Sequence, residues 1–176
     1  QAWWPAPRPA MGRSAVNGSL RIRHVLPDVG YLPRDPATAA VGGITAAAWS
    51  LAQVQVTAGH RVQIAGLSRE AAGFHLLAGG VELHGLKPWR LLRGGRYDLR
   101  YLAPLWWHGL AGTPDILHCH VNPWLLYLAG RRRILHLHNL PQALDRAAYR
   151  RAMARADAIL CCSEFVQRSL ARQFPE

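Results

Sequence analysis

The sequence is poor in lysine, acidic residues and cysteine, and it has no long apolar run. Lys87 is its one lysine, so a phosphate-binding lysine motif of the P-loop type has no candidate. Asp and Glu number 10 against 21 Lys plus Arg, a formal net charge of +11 that is almost entirely arginine. Such a surface attracts phosphates, whether on nucleic acid, anionic lipid headgroups or phosphorylated small molecules, and net charge does not choose among them. Cys119, Cys161 and Cys162 are odd in number and two are neighbours in an apolar run, which predicts reduced, buried thiols of a cytosolic protein and excludes a disulfide scaffold. Arg, His, Gln or Pro interrupts every hydrophobic stretch before the roughly eighteen residues that a membrane-spanning helix needs.

Several catalytic signatures are missing as well. No G-x-S-x-G nucleophile elbow occurs, and neither HExxH nor CxxC spacing is present. What remains is 176 residues, half of them hydrophobic, enough for one domain with a buried core and too apolar for a disordered chain.

Residues 1–19, with Trp3, Trp4, clustered prolines and then Gly12, Ser14, Asn17 and Gly18, have no amphipathic pattern and read as a tail or linker. From residue 20 to 176, short apolar runs alternate with longer helical ones, the signature of βα units. Strands are predicted at Arg21 to Leu26, Arg61 to Ala65, Val81 to Leu86, Asp115 to Cys119, Arg133 to His138 and Ala158 to Cys162. Helices are predicted after Gly43, with Ile44, Ala47, Ala48, Leu51 and Val54 on one face, then from about Tyr97 to Leu110, Trp124 to Ala129, Leu144 to Arg155, and from Ser163 as cap to about Arg172. Gly59 stands where a left-handed helix end is favoured. The expected fold class is α/β, a Rossmann-like three-layer domain whose strands near residues 22, 62, 116, 134 and 159 form one parallel sheet with helices on both faces.

Two features could carry chemistry. Gly42 and Gly43 follow the first strand and open the first helix, leaving backbone N–H groups unobstructed for an anion. They do not complete a dinucleotide fingerprint, which needs a third glycine and an acidic residue ending the second strand. His118 and His120, and again His136 and His138, are spaced by two at the carboxyl ends of their strands, where open α/β sheets collect ligands. His-x-His is also a metal-ligand spacing, but the nearest downstream carboxylate, Asp145, falls at a helix start, and no metal is expected. His118 and His136 read as partly buried rings satisfied by backbone. His120 and His138, followed by Asn122 and Asn139, are better placed for a ligand.

Taken in order, Val41-Gly42-Gly43-Ile44, Ala58-Gly59-His60-Arg61-Val62, Pro114-Asp115-Ile116-Leu117-His118-Cys119-His120, His138-Asn139 and Ala156-Asp157-Ala158-Ile159-Leu160-Cys161-Cys162-Ser163-Glu164 resemble the amino-terminal domain of family 4 glycosyltransferases. The resemblance implies the first half of a GT-B fold, metal-independent and retaining, needing no cofactor and using a nucleotide-sugar as co-substrate. By position it implies His138 as the active-site histidine contacting the transferred sugar, Gly42 and Gly43 near the donor diphosphate, and His120, Asn122 and Asn139 along the cleft. It also implies a carboxyl-terminal donor-binding domain, in cis or in trans, without which the 176 residues are expected to be inactive. A glycan or lipid-linked acceptor is expected, at the cytoplasmic side and in possible contact with an anionic membrane, with no specific nucleic acid. The competing reading is a basic Rossmann-like module that binds RNA or anionic lipid without catalysis. It is disfavoured for RNA because the strands lack alternating aromatic and basic residues.

Overall fold

The computed structural model describes residues 18–26, 32–37, 42–70, 73–89, 103–107, 112–139 and 146–174. Alternating apolar runs build β1 (Arg21–Val25), β2 (Arg61–Leu67), β3 (Phe74–Ala78), β4 (Val81–Leu86), β5 (Ile116–His120), β6 (Arg132–Leu137) and β7 (Ala158–Cys161). The longer helices are α1 (Gly43–Thr57), α2 (Arg146–Met153) and α3 (Glu164–Gln173), with a 3-10 helix at Pro123–Tyr127. One sheet runs in the order β3-β4-β2-β1-β5-β6-β7, and every pairing in it is parallel except β3 with β4. The expected Rossmann-like α/β class is the observed one.

Strand alternation splits the core in two. Ile22, Ile64 and Leu83 pack with Ala48 and Ala52 of α1 on one face. Leu117, Cys119, Leu135 and Leu137 pack with Tyr149, Met153, Val166 and Phe174 on the other, beneath α2, α3 and the 3-10 helix.

Local signals hold at the ends of elements. Gly59 follows α1 at φ 87°, and Ser163 accepts a hydrogen bond from the Val166 N–H at 3.3 Å. Asp115 and Asp157, from the two motif segments, accept the backbone N–H of Arg21 and of Arg133, each at 2.9 Å. Each carboxylate thus anchors the start of the neighbouring strand and sets its register. These aspartates build the sheet rather than the chemistry.

The structure corrects several expectations. β3 was not foreseen, although Gly79 and Gly80, at φ 51° and 80°, form the two-residue turn of a tight hairpin pairing Ala78 with Val81. The face of α1 that enters the core is Thr45, Ala48 and Ala52, whereas Val54 is 66% exposed. So many of its positions are alanine that hydrophobicity barely distinguishes its faces, and close approach to the sheet selects the smallest residues. The stretch after Asn122 is a 3-10 turn, not an α-helix. Of the three thiols only Cys119 is buried, and Cys162 is exposed. In the predicted 97–110 helix only 103–107 is described, and it is helical; residues 144 and 145 lie outside the described residues. Among the described residues, no helix is long and apolar enough to cross a membrane.

Candidate functional site

Five imidazoles meet on the α1 face of the sheet because the parallel register aligns them. His24 of β1 stands opposite His118 of β5, and His120 stands opposite His136 of β6. His138 follows directly after β6 at the carboxyl edge. Their rings stack or tilt against one another with centroids 4.1–5.5 Å apart.

Hydrogen bonds thread three of these rings. Gln55 Oε1 on α1 lies 2.7 Å from His24 Nε2, His24 Nδ1 lies 3.1 Å from His120 Nε2, and His120 Nδ1 lies 3.0 Å from His138 Nε2. His24 and His120 are completely enclosed and His118 is only 3% exposed, while His138 and His136 are half-buried. Burial disfavours the charged imidazolium, taking His24 and His138 down to about 4 and His118 to about 3, and holding His120 well below the ordinary range. Neighbouring rings add to the effect on His118, His120 and His138. At neutral pH the cluster is therefore uncharged, with one donor and one acceptor nitrogen per ring.

His118 and His136 do not fit the expected picture of rings satisfied by backbone. His118 Nε2 and His136 Nδ1 are buried and have no hydrogen-bond partner among the described residues. His120, expected along the cleft, is enclosed between His24 and His138, so it reaches a ligand only through His138. Asn122 turns inward as a cap, its Oδ1 accepting the Trp124 N–H at 3.0 Å. Asn139 is exposed just beyond His138.

Gly42 and Gly43 open α1 and are exposed. Right-handed βα connectivity puts this end of α1 at the carboxyl edge of the sheet. A Cβ on either glycine meets nothing within 4 Å among the described residues, and Gly42 has an ordinary φ of −64°. Neither backbone strain nor packing accounts for glycine there. Gly42 supplies no side-chain cap, and the first turn has no acidic residue to offset the positive end of α1.

Sequence reasoning overlooked two further features at this edge. Val121 has φ 65° and is bridged by a hydrogen bond from the Asn122 N–H to the His120 carbonyl at 2.7 Å, a strained three-residue turn for a β-branched residue. The Cys162 thiol donates to the His138 carbonyl at 3.3 Å, tying the end of β7 to the segment that carries His138.

Two histidine triads could in principle hold a metal, His24-His118-His120 and His120-His136-His138, each with donor atoms within 4.8 Å of one another. A third group, His75, Glu82 and His84, lies near the β3 edge. In each of the first two, one pair of nitrogens already bonds to each other, His24 to His120 and His120 to His138, and neither triad includes a carboxylate to offset a buried cation.

The family model for glycosyltransferase family 4 matches residues 41–176. Among solved structures, the chain is similar to sucrose-phosphate synthase from Thermosynechococcus elongatus, with a TM-score of 0.54 and 14% identity over 86% of this chain. The chain spans 45% of the length of that protein. No curated protein sequence matches it significantly.

Proposed function

The chain belongs to glycosyltransferase family 4, and on that premise we propose that it is the acceptor-side domain of a retaining, metal-independent hexosyltransferase. A nucleotide-sugar donates the sugar, and a glycan or lipid-linked molecule accepts it. A second domain, in cis or in trans, supplies most of the donor contacts, and the isolated 176 residues are inactive. The carrying observation is His138: a neutral, half-buried imidazole just past the carboxyl end of β6, held on one side and open to a ligand on the other.

Each role follows from a group's chemistry. His138 hydrogen-bonds a hydroxyl of the transferred sugar with a ring that carries no charge. The backbone N–H groups at Gly42 and Gly43 stabilise negative charge as the diphosphate departs, without a metal to neutralise it. Asn139, exposed beside His138, lines the acceptor side. The basic surface, at a net charge of +11, favours an acceptor borne on an anionic membrane at the cytoplasmic face.

The test uses the two-domain enzyme and a panel of nucleotide-sugars with isotope- or mass-detected transfer. His138→Ala should lower turnover about 10-fold to 1000-fold, the range for losing one positioned hydrogen bond in a transition state. Unchanged turnover in a correctly folded variant overturns the role given to His138.

A further inference from the structure

We propose that Gln55 acts through His24 and His120 as a positioning residue that fixes which nitrogen of His138 carries the proton, leaving Nδ1 bare. This deepens the reading of His138 given above and rests on it only for its catalytic consequence.

The direction of the chain follows from one fixed end. An amide oxygen can only accept, so Gln55 Oε1 at 2.7 Å requires the proton of His24 on Nε2. His24 Nδ1 is then a lone pair, and the Nε2 of His120 at 3.1 Å must be the donor to it. The same step repeats once more. His120 Nδ1 is left as an acceptor, and His138 Nε2 at 3.0 Å donates to it. With every ring neutral, the last nitrogen in the series, His138 Nδ1, has no proton.

Reversing any one ring would set two lone pairs or two N–H groups against each other at 3.0–3.1 Å, and the fully enclosed His24 and His120 have no water to turn to instead. All members therefore move together or not at all, and a side chain on α1, bonded to the ring on β1, decides the state of a ring two strands away in the sheet order β1-β5-β6. The functional consequence is a selectivity. A bare Nδ1 accepts, so the sugar it meets must present a hydroxyl as donor. An analogue with fluorine or hydrogen at that carbon cannot provide one.

The tautomers are read directly by two-bond nitrogen–proton correlation spectra of the chain labelled with nitrogen-15 histidine at pH 7. The expected result is the Nε2–H form for His24, His120 and His138 alike. An Nδ1–H form at any of the three overturns the proposal without recourse to a variant. Gln55→Leu removes the fixed acceptor, and a substantial Nδ1–H population should then appear at His138; an unchanged spectrum overturns the role of Gln55. Gln55→Met serves the same purpose if the leucine variant does not fold, as judged by amide spectra. One equivalent of Zn²⁺ should leave these signals in place. Joint displacement of the His24, His118 and His120 signals would mean that the nitrogens are metal ligands and would overturn the proton-bonded chain. In the two-domain enzyme Gln55→Leu should lower kcat several-fold with little change in KM. If the tautomers are as stated but His138→Ala transfers sugar normally, the functional reading fails and the relay stands; the opposite pair of results fails the relay alone.

Discussion

At the scale of single residues, Gly43 separates stability from activity. A Cβ there meets open space among the described residues, and alanine is the better helix former. Gly43→Ala should raise stability by about 0.5 kcal/mol, less than the full interior difference because the position is the first of the helix. Urea denaturation of the chain measures this. The same methyl group narrows the approach to the α1 amides, so transfer by the two-domain enzyme should fall. A variant that is both more stable and equally active would remove the glycine pair from the donor site. His138 differs in kind, because its surroundings, not its backbone, equip it. Burial keeps it neutral, His120 holds one nitrogen, and the Cys162 thiol holds its carbonyl.

At the scale of elements, the β3–β4 hairpin closes one side of the sheet and rests on a glycine. Phe74 pairs with Gly85 across the antiparallel ladder, and its ring covers the position a Cβ would occupy. Gly85→Ala forces that ring off its site and should cost about 1–3 kcal/mol, as over-packing does elsewhere. Thermal or urea unfolding would record it. Stability equal to wild type would mean that Phe74 relocates freely. The histidine cluster lies nearer the other side, on β1, β5 and β6, so this loss should leave the imidazole signals at native pH unchanged.

At the scale of the whole molecule, the buried imidazoles make stability depend on pH in a defined direction. Their folded pKa values, about 4 for His24 and about 3 for His118, with His120 also well below the ordinary range, lie under the unfolded value of 6.5. The unfolded chain therefore binds more protons as pH falls from 6.5 toward 4. The folded state loses stability across that window and keeps it in full above 6.5. By pH 5.5 each ring that stays neutral should contribute about 1 kcal/mol of loss, before most carboxylates begin to titrate. Urea midpoints should be flat from pH 7 to 8 and fall steadily from 6.5 to 5. A flat profile down to pH 5 would show that the rings are not enclosed as described.

How much was legible in the sequence depends on the range over which each interaction acts. Strand and helix alternation, the left-handed end at Gly59, the Ser163 cap and the parallel sheet all follow from residues a few positions apart, where periodicity and backbone sterics act. The family motifs are local in the same sense, and two of their aspartates prove to anchor neighbouring strands. The Gly79-Gly80 hairpin is equally local, but a short antiparallel pair carries little periodic signal within a sequence dominated by βα alternation. The histidine site belongs to the other category. Its bonds join residues 31, 96 and 18 positions apart, and nothing in a single strand says which ring will face which. Sequence spacing put His120 and His138 forward together; parallel register and the packing of α1 decided that one would be enclosed and the other open. By itself the sequence determined which residue types reach the carboxyl edge of the sheet. Only the tertiary structure, by bringing three strands and one helix into hydrogen-bonding distance and excluding water from between them, decided their protonation, their order and their division into support and site.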